Sequence, residues 1–335
     1  MTDSGPLLSV IITSYTENRL PDVFDLLESL KAQTYGHIEI IFVGEREPEL
    51  CERVKDYAGQ QDMTSFTVLF NDGEPGLSAA RNVGIEQAQG DIIAFVDDDV
   101  IVSHDWAEGV VVGFADSSVI GMTGPAYPLW EDPGMSWLPE ELYWLIGCTG
   151  WTGSARLREV RNAWGMNMAF RREVFTNGLR FSSRFGLCNS SRLNWIDPPS
   201  EDVDFSLRAK ERTGKKIIFC PKASVRHKVP RKRIGVKFVV QRSASVGFQR
   251  RMLKKLYPKA SKNSKPLDQE RQLLRRILTG LLPRISGHFF LNPWRAWKEL
   301  RITLVSLLFV ALGYYFLVPA YRPVSTSSDK VSGSP

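Results

Sequence analysis

The sequence is poor in cysteine and histidine and lacks the common phosphate-binding loops. Its four cysteines are scattered without a CxxC pair, which excludes a zinc ribbon and gives no support for a disulfide framework. No GxGxxG follows the first apolar run and no GxxxxGKS/T is present, so neither a dinucleotide-binding nor a P-loop protein is predicted.

The composition is that of a globular protein with an excess of basic residues. Of 335 residues, 43% are hydrophobic and 24% charged, which is enough apolar material for a core. The net charge of +6 favours an anionic partner, such as a diphosphate, an acidic membrane surface or nucleic acid. Because the basic residues concentrate next to a long apolar run and no nucleic-acid-binding motif is present, we predict no nucleic acid partner.

The long apolar run near the C-terminus is typical of a membrane span. Residues 302–320 carry no charge and are just long enough to cross a hydrocarbon core of roughly 30 Å. Tryptophan, tyrosine and basic side chains flank the run, and the positive residues precede it. We therefore predict a single-pass protein of the cell membrane with a cytoplasmic catalytic domain; a buried core helix is the alternative.

A second apolar segment, residues 273–291, precedes the predicted span. It mixes leucine, isoleucine and phenylalanine with arginine, and Pro283 interrupts it. This pattern predicts a basic amphipathic segment lying on the bilayer, with a kinked hairpin that crosses the membrane as the alternative.

The first 220 residues alternate between strand and helix patterns. Short β-branched runs are typical of strands buried on both faces of a parallel sheet, and apolar side chains at three- and four-residue intervals follow them. Repetition of such units predicts an α/β fold with a mostly parallel sheet and helices on both faces. The predicted strands are 8–13, 37–43, 66–70, 91–96, 119–124 and 216–219, and the predicted helices are 20–30, 49–58, 76–89, 106–114 and 201–212. Residues 125–164, rich in Trp, Pro and Gly, give no assignment.

Three consecutive carboxylates, Asp97, Asp98 and Asp99, follow the fourth predicted strand. In an open α/β sheet, ligands bind beyond the carboxyl ends of the strands. Neighbouring like charges raise one another's pKa unless a cation neutralises them, and carboxylate oxygens suit Mn²⁺ or Mg²⁺. Alternation along the strand directs Asp97 and Asp99 to one side and Asp98 to the other. A solvated acidic turn is the structural alternative.

A set of motifs in a fixed order carries a resemblance to one enzyme family. The motifs VIITSYTEN, GLSAARNVGIEQAQGDIIAFVDDD, GMNMAFRREVF and SEDVDFSLR, followed by a histidine, resemble the inverting family 2 glycosyltransferases of GT-A fold. The resemblance covers roughly residues 7–230. The chain is also similar to archaeal enzymes that extend dolichyl phosphate-linked glycans.

The resemblance implies roles for the three aspartates. Asp97 would reach the ribose side of a nucleoside diphosphate sugar, with Asp98 beside it, and Asp99 would hold the divalent metal. The expected cofactor is Mn²⁺ or Mg²⁺.

The resemblance also implies a nucleotide-binding surface. It places Tyr15 and Glu17 at the base, and Arg81 and Asn82 on a helix face that lines the nucleotide, although an ordinary helix would explain the last two. Most members carry aspartate after the second strand, whereas this chain has Glu45 there. Either Glu45 substitutes for it or the base is held differently.

Glu201 and Asp202 open a predicted helix directly after Ser200. Serine is a good N-cap and acidic residues complement the helix dipole, which is a sufficient structural reason for the pattern. The resemblance implies that Asp202 is the general base for the acceptor hydroxyl and that Glu201 holds the acceptor.

His227 lies just past the last predicted strand, in a basic segment. The resemblance implies a contact with the metal or the diphosphate, and neutral imidazole can ligate Mn²⁺; a structural histidine is the alternative. Arg231, Lys232 and Arg233 either hold an anion or face lipid headgroups.

The sequence therefore predicts a membrane-anchored enzyme that transfers a sugar, with inversion, from a nucleoside diphosphate sugar to a lipid-linked acceptor such as polyprenyl or dolichyl phosphate. A UDP-sugar is the favoured donor. A processive polysaccharide synthase is one alternative, although the chain lacks its QxxRW signature; a catalytically silent membrane scaffold is another.

The predicted domain organisation is a catalytic domain (1–230), a membrane-proximal region (231–300), a transmembrane helix (301–321) and a polar tail (322–335).

Overall fold

A computed structural model describes residues 5–149, 155–183, 200–257 and 268–317. Its strands fall into two sheets. The strands are β1 (Leu8–Ser14), β2 (Ile38–Glu45), β3 (Phe66–Asn71), β4 (Ile92–Asp97), β5 (Val100–Val102), β6 (Val119–Thr123), β7 (Ala126–Trp130), β8 (Arg158–Val160), β9 (Asn167–Arg171), β10 (Lys216–Phe219) and β11 (Val225–Val229).

The helices of the first half follow the predicted order, and several more form beyond it. The helices are α1 (Leu20–Lys31), α2 (Pro48–Gln60), α3 (Leu77–Gln87), α4 (Trp106–Gly113), α5 (Glu173–Thr176), α6 (Glu201–Thr213), α7 (Val236–Leu256), α8 (Asp268–Arg276), α9 (Leu282–Leu291) and α10 (Pro293–Phe316). A π-helical segment, Ile277–Leu281, joins α8 to α9.

The main sheet has the strand order β3-β2-β1-β4-β9-β6-β10-β8. Strands β1 to β4 are mutually parallel, as predicted, because helices cross between them. The apolar side chains of β1, β2 and β4 are largely buried on both faces, whereas those of the edge strand β3 are partly exposed. The sequence missed β9, which lies antiparallel between β4 and β6. This five-residue strand aligns Asn167 with Val96, next to the three aspartates.

A second, three-stranded sheet has the order β5-β11-β7. Strand β5 begins directly after the aspartates, and β11 pairs with it so that His227 lies opposite Val100. The pairing therefore brings together parts of the chain that are far apart in sequence.

The segment from α8 to α9 packs against the rest of the protein. Ile277, Leu281 and Ile285 are buried in a cluster that includes Leu142 and Leu145, from the stretch that gave no sequence assignment. The predicted surface segment therefore turns part of its apolar face toward protein. Pro283 comes just after the π-helical segment, and the backbone stays helical on both sides, so the proline does not end the helix here.

Helix α10 covers residues 302–316 of the predicted span and begins nine residues before it, at Pro293; residues 318–320 of the span lie outside the described residues. By length and composition it is able to cross a membrane. One stripe, Leu304, Leu308 and Leu312, is exposed. The opposite face packs closely on α7, where Gly247 faces Val310.

The helix contact depends on glycine, because a methyl group at Gly247 would overlap the carbonyl oxygen of Val310. We expect Gly247→Ala to lower the free energy of unfolding by about 1–3 kcal/mol through overpacking, despite the better helix propensity of alanine. Gly287→Ala is the matched control, since nothing lies within 4 Å of a methyl group there. Thermal unfolding in detergent should show a lower melting temperature for the first variant only. Equal melting temperatures would contradict the close helix contact.

Candidate active site

The carboxyl ends of four parallel strands place polar side chains along one edge of the main sheet. The register pairs Thr13 of β1 with Asp97 of β4, and Glu45 of β2 with Asn71 of β3. Ligands of open α/β sheets bind at such an edge. The fold therefore places Asp97 and Glu45, two of the predicted site residues, at this edge.

The three consecutive aspartates take different directions. Strand β4 ends at Asp97 and the chain then turns, so strand alternation no longer applies. Asp98 accepts a hydrogen bond from Ser14 Oγ at 2.6 Å. Both Asp98 and Asp99 face Arg19 Nη1, at 4.0 and 3.1 Å. The prediction that Asp98 turns away from Asp99 is therefore wrong.

Asp99 lies in a cationic corner formed by the second sheet. The backbone N–H of Lys228 donates to the Asp99 carbonyl at 2.9 Å, which holds β11 against the turn. His227 Nε2 lies 3.3 Å from Asp99 Oδ1. Arg19 Nη1 and Arg233 Nη2 reach Asp99 Oδ2 at 3.1 and 3.2 Å. The structure therefore joins His227 and Arg233 to the aspartates.

These surroundings separate the proton affinities of the three carboxyl groups. Desolvation acts to raise the pKa of Asp99, but His227 and two guanidinium groups hold that pKa well below its usual range. Burial raises the pKa of Asp98 to about 7, against the Ser14 hydrogen bond. Desolvation also raises the pKa of Asp97. Of the three, Asp99 is thus the one whose surroundings favour the ionised form.

Asp99 and His227 supply two donor atoms of the kind that hold Mn²⁺ or Mg²⁺. Their 3.3 Å separation fits two adjacent corners of an octahedron, which lie about 3 Å apart at metal–ligand distances of about 2.1 Å. Arg233 Nη1 lies 2.8 Å from the same imidazole nitrogen and would have to move aside. Within the described ranges, no third His, Cys, Asp or Glu completes a metal-binding group. Phosphate oxygens and water would fill the remaining positions.

Arg81 is a buried guanidinium at the centre of the site, with 2% of the residue exposed. Its Nη2 donates to Asp97 and to the Gly165 carbonyl, both at 3.1 Å, and its Nη1 donates to Glu201 at 2.8 Å. It also lies over the ring of Phe181. Arg81 therefore links the strand end to the start of α6.

Asn82, the neighbour of Arg81, was predicted to line the nucleotide, but its side chain binds the protein backbone instead. Its Nδ2 donates to the Phe181 carbonyl and its Oδ1 accepts from the Phe181 N–H, both at 2.9 Å. Because both ends of the amide bind backbone, Asn82 fixes the Phe181 segment and is not presented to a nucleotide.

Asp202 lies in the first turn of α6, beside Glu201. Its Oδ2 accepts from the Gly165 N–H at 2.9 Å and its Oδ1 from the Val203 N–H at 2.7 Å. Desolvation and the charge of Glu201 raise the pKa of Asp202 to about 6, in spite of those bonds. A carboxyl group with such a pKa is suited to accept a proton near neutral pH. Ser200 occupies the N-cap position, but its hydroxyl bonds to α7 and makes no capping bond to α6.

Tyr15 and Glu45 lie at the other end of the strand edge. Tyr15 is 49% exposed, and the guanidinium carbon of Arg46 lies 5.4 Å from the centroid of its ring. Glu45 is buried and accepts a hydrogen bond from the Gly76 N–H at 2.6 Å, at the start of α3. An exposed aromatic face beside a fixed carboxylate is a suitable surface for a planar base.

Glu17 lies further out, where its carboxylate pairs with Arg53 at 3.1 Å on the surface. Arg231 likewise points outward and pairs with Asp132. Glu17 therefore lies at the periphery of the site. Of the basic residues 231–233, Arg233 contacts Asp99.

The sequence reading missed three participants: Ser14, Arg19 and Arg46. Ser14 is the last residue of β1, and Arg19 and Arg46 follow β1 and β2 within five residues, so the rule that sites form at strand ends points to all three. The residue types alone, one serine and two arginines, did not mark these positions as part of a site.

Comparison with known proteins identifies the family. The model for "Glycosyl transferase family 2" matches residues 9–179, about half of the chain. The chain belongs to this family. It is 31% identical over 255 residues to the glucosyl-dolichyl phosphate glucuronosyltransferase of Haloferax volcanii, a match covering 76% of this chain and 79% of the relative. It is 32% identical over 111 residues to glycosyltransferase AglE of the same organism, covering 32% and 35% of the two chains.

A solved structure supports the fold of this family 2 glycosyltransferase. The mannosyltransferase PcManGT of Pyrobaculum calidifontis, solved with GDP-Man and Mn²⁺, superposes with a TM-score of 0.59 at 16% identity and covers 93% of this chain and 88% of its own. The predicted GT-A-like fold is thereby confirmed, and the family makes the protein a sugar-transferring enzyme.

The Arg81 bridge predicts a large stability cost for its removal. We expect Arg81→Met to lower the free energy of unfolding by about 3–5 kcal/mol, because Asp97 and Glu201 would lose the charge that compensates them. Arg53→Met removes an exposed ion pair with Glu17 and should cost less than about 1 kcal/mol. Urea unfolding of both variants would measure the difference, and similar midpoints would contradict a central role for Arg81.

Proposed function

We propose that the protein is an inverting glycosyltransferase that moves a sugar from a nucleoside diphosphate sugar to a lipid-linked acceptor. The main support for this proposal is the position of Arg81. Its guanidinium contacts Asp97 at the strand end and also Glu201, the neighbour of Asp202. A donor bound at the strand ends would thus lie beside a carboxyl group suited to deprotonate an acceptor. Family membership and the Haloferax volcanii relative support this reaction class.

The donor would lie along the strand ends, with its base near Tyr15 and Glu45 and its ribose near Asp97. A buried carboxylate accepts hydrogen bonds only, so Glu45 suits a base with a ring N–H. Uracil N3–H and guanine N1–H are both donors of this kind; we propose a UDP-sugar, with a GDP-sugar as the alternative that the donor panel below distinguishes. Arg19 and Arg233 lie beside Asp99, where the diphosphate would bind, and their guanidinium groups would donate hydrogen bonds to its oxygens.

Asp99 and His227 would hold Mn²⁺ or Mg²⁺ between the protein and the diphosphate. When bound, the metal supplies Lewis-acid charge that offsets the negative charge on the departing diphosphate. This role is consistent with the low pKa of Asp99, which keeps the carboxylate available as a ligand.

Asp202 would act as the general base and Glu201 would position the acceptor hydroxyl. The acceptor oxygen forms its bond to the anomeric carbon while the bond to the diphosphate breaks, and its proton passes to Asp202. Attack from the face opposite to the leaving group inverts the anomeric configuration. With a pKa of about 6, Asp202 is mostly ionised at pH 7 and able to accept this proton.

The acceptor would be polyprenyl or dolichyl phosphate, or a sugar carried on it. The relative in Haloferax volcanii is named for transfer to glucosyl-dolichyl phosphate. Helix α10, with its exposed stripe of leucines, would keep the enzyme at the bilayer that holds such an acceptor. We propose a single crossing with the catalytic domain cytoplasmic, because basic residues concentrate before the apolar run.

The donor is identified by incubating membranes that contain the protein with a panel of nucleotide sugars, Mn²⁺ and a polyprenyl phosphate-linked glucose. We expect one UDP-sugar to release UDP only when the acceptor is present, and the product to carry the inverted anomeric configuration by NMR. Release from none of the donors would contradict the proposed activity, and a retained configuration would contradict inversion.

Replacing Asp202 separates chemistry from structure. Asp202→Asn keeps the shape of the side chain but removes its ability to accept a proton, so we expect turnover to fall by roughly 10²- to 10⁴-fold while nucleotide binding survives. In the wild type, kcat/KM should fall as the pH drops through about 6, because Asp202 then becomes protonated.

Asp204→Asn is the control for the Asp202 experiment. Asp204 lies two residues along the same helix and pairs with Arg208, so its replacement should affect stability more than chemistry. A folded Asp202→Asn protein that still transfers sugar at a near-normal rate would show that Asp202 is not the general base, and Glu201 would then be the candidate.

The metal assignment makes a separate prediction. Asp99→Ala should abolish the Mn²⁺-dependent part of nucleoside diphosphate binding, because it removes the proposed carboxylate ligand. Asp116→Ala, which removes an exposed carboxylate paired with Lys216, should bind as the wild type does. Equilibrium titrations with and without Mn²⁺ test this, and Mn²⁺-stimulated binding by Asp99→Ala would refute the assignment.

A further inference from the structure

A tight turn, residues 146–148, contacts the imidazole of His227. It ends a short 3₁₀ helix, Glu140–Ile146, in the stretch that gave no sequence assignment. Gly147, at its centre, has a φ of +79°, a left-handed conformation that favours glycine. None of the residues in this turn was among the predicted site residues.

The backbone of Gly147 lies directly against the imidazole ring. A methyl group at Gly147 would lie 2.9 Å from Cε1 and 3.4 Å from Nδ1 of His227. The first distance is shorter than van der Waals contact allows, so any larger residue would displace the ring, the turn or both. His227 is itself buried on β11. Glycine at this position therefore lets the turn fix one side of the ring.

Hydrogen bonds attach the 146–148 turn to the sheet that carries His227. The Thr149 N–H donates to the Ala126 carbonyl at 2.9 Å, and the Ala126 N–H donates to Thr149 Oγ1 at 2.7 Å. Ala126 begins β7, which runs parallel to β11 and pairs Pro128 with His227. The turn and the imidazole are therefore anchored to adjacent strands.

The thiol of Cys148 faces the ring nitrogen that points away from Asp99. Cys148 is buried, and its Sγ lies 3.7 Å from His227 Nδ1. A neutral imidazole carries one N–H, and a metal binds the other nitrogen. Because Nε2 is the nitrogen directed at Asp99, the N–H belongs on Nδ1, where the sulfur accepts it. The thiol thus favours the tautomer that ligates a metal through Nε2.

The same turn holds Arg233. Its Nη1 donates to the Ile146 carbonyl at 3.0 Å and lies 2.8 Å from His227 Nε2 and 3.5 Å from Nδ1. A guanidinium group only donates, so the shorter contact also requires a lone pair on Nε2 and the N–H on Nδ1. When a metal takes Nε2, the Ile146 carbonyl remains as a partner for Arg233.

We propose that Gly147 and Cys148 are positioning residues for the metal ligand His227. The glycine sets the place of the imidazole ring, and the thiol selects the tautomer with a free Nε2. The inference rests on the proposed function, which assigns His227 to the metal. It adds the part of the chain that prepares this histidine for Mn²⁺ or Mg²⁺.

The test measures how the UDP affinity of the detergent-solubilised full chain rises with Mn²⁺ concentration; GDP replaces UDP if the donor panel selects it. We expect Gly147→Ala to require at least tenfold more Mn²⁺ for the half-maximal effect and to leave UDP affinity without Mn²⁺ unchanged. Gly178→Ala is the matched control, because Gly178 has the same φ of +79° but nothing lies within 4 Å of a methyl group there. Both variants should lose melting temperature through backbone strain.

The thiol is tested in the same assay. We expect Cys148→Ala to raise the Mn²⁺ requirement several-fold, because His227 Nδ1 loses its acceptor. Cys220→Ala is the matched control: Cys220 is equally buried and bonds to the Gly109 carbonyl at 3.4 Å. It should lower the melting temperature and leave the Mn²⁺ requirement unchanged.

Either of two outcomes would overturn the proposal. One is a folded Gly147→Ala protein with the Mn²⁺ requirement of the wild type. The other is an equal Mn²⁺ requirement for Cys148→Ala and Cys220→Ala. If Gly147→Ala does not fold, the pair of cysteine variants decides.

The assay requires no sugar transfer, so this proposal and the proposed function fail separately. Sugar transfer by a protein whose nucleotide binding does not respond to Mn²⁺ would overturn the positioning role and leave the reaction class standing. A Mn²⁺ response that depends on Gly147 and Cys148, in a protein that transfers no sugar, would support the positioning role while refuting the proposed function.

Discussion

The site depends on the burial of one positive charge. Arg81 is almost without solvent contact, so its guanidinium must be compensated by the groups around it. Asp97 and Glu201 supply the opposite charge and Gly165 supplies a carbonyl oxygen, each from a different part of the chain. Because these partners cannot separate without exposing an uncompensated charge, the end of β4, the segment before β9 and the start of α6 are held in one arrangement.

Around that arrangement, similar carboxyl groups acquire different properties from their surroundings. Asp99 lies among His227, Arg19 and Arg233, and its pKa is lowered in spite of burial. Asp202 lies beside another carboxylate, and its pKa is raised to about 6. A group that remains ionised is suited to bind cations, whereas a group that titrates near neutral pH is suited to exchange a proton. The two ends of the site are thus chemically distinct although both are built from aspartate.

The sequence predicted the parts of the molecule that local pattern controls. The parallel strands β1 to β4, the aspartates at a strand end and the acidic start of α6 all follow from short apolar runs and what comes after them. Strand β9 was missed because its partners are remote in the chain, and Asp98 was misplaced because alternation holds only while a strand continues. The burial of Arg81 and the use of Asn82 as a backbone clamp arise from tertiary contacts, which no local pattern records.

The close contact of α7 with α10 has a mechanical consequence. Helix α7 begins two residues after Ile234, at the end of the short turn that carries Arg233, and its middle is locked against α10 at Gly247. With glycine at the contact, the two helices have little room to slide and behave as one stiff lever. A tilt of α10 would therefore be transmitted along α7 toward the guanidinium that contacts Asp99. In the proposed membrane arrangement, the lateral pressure and thickness of the bilayer would then act on the geometry of the candidate active site through this helix pair.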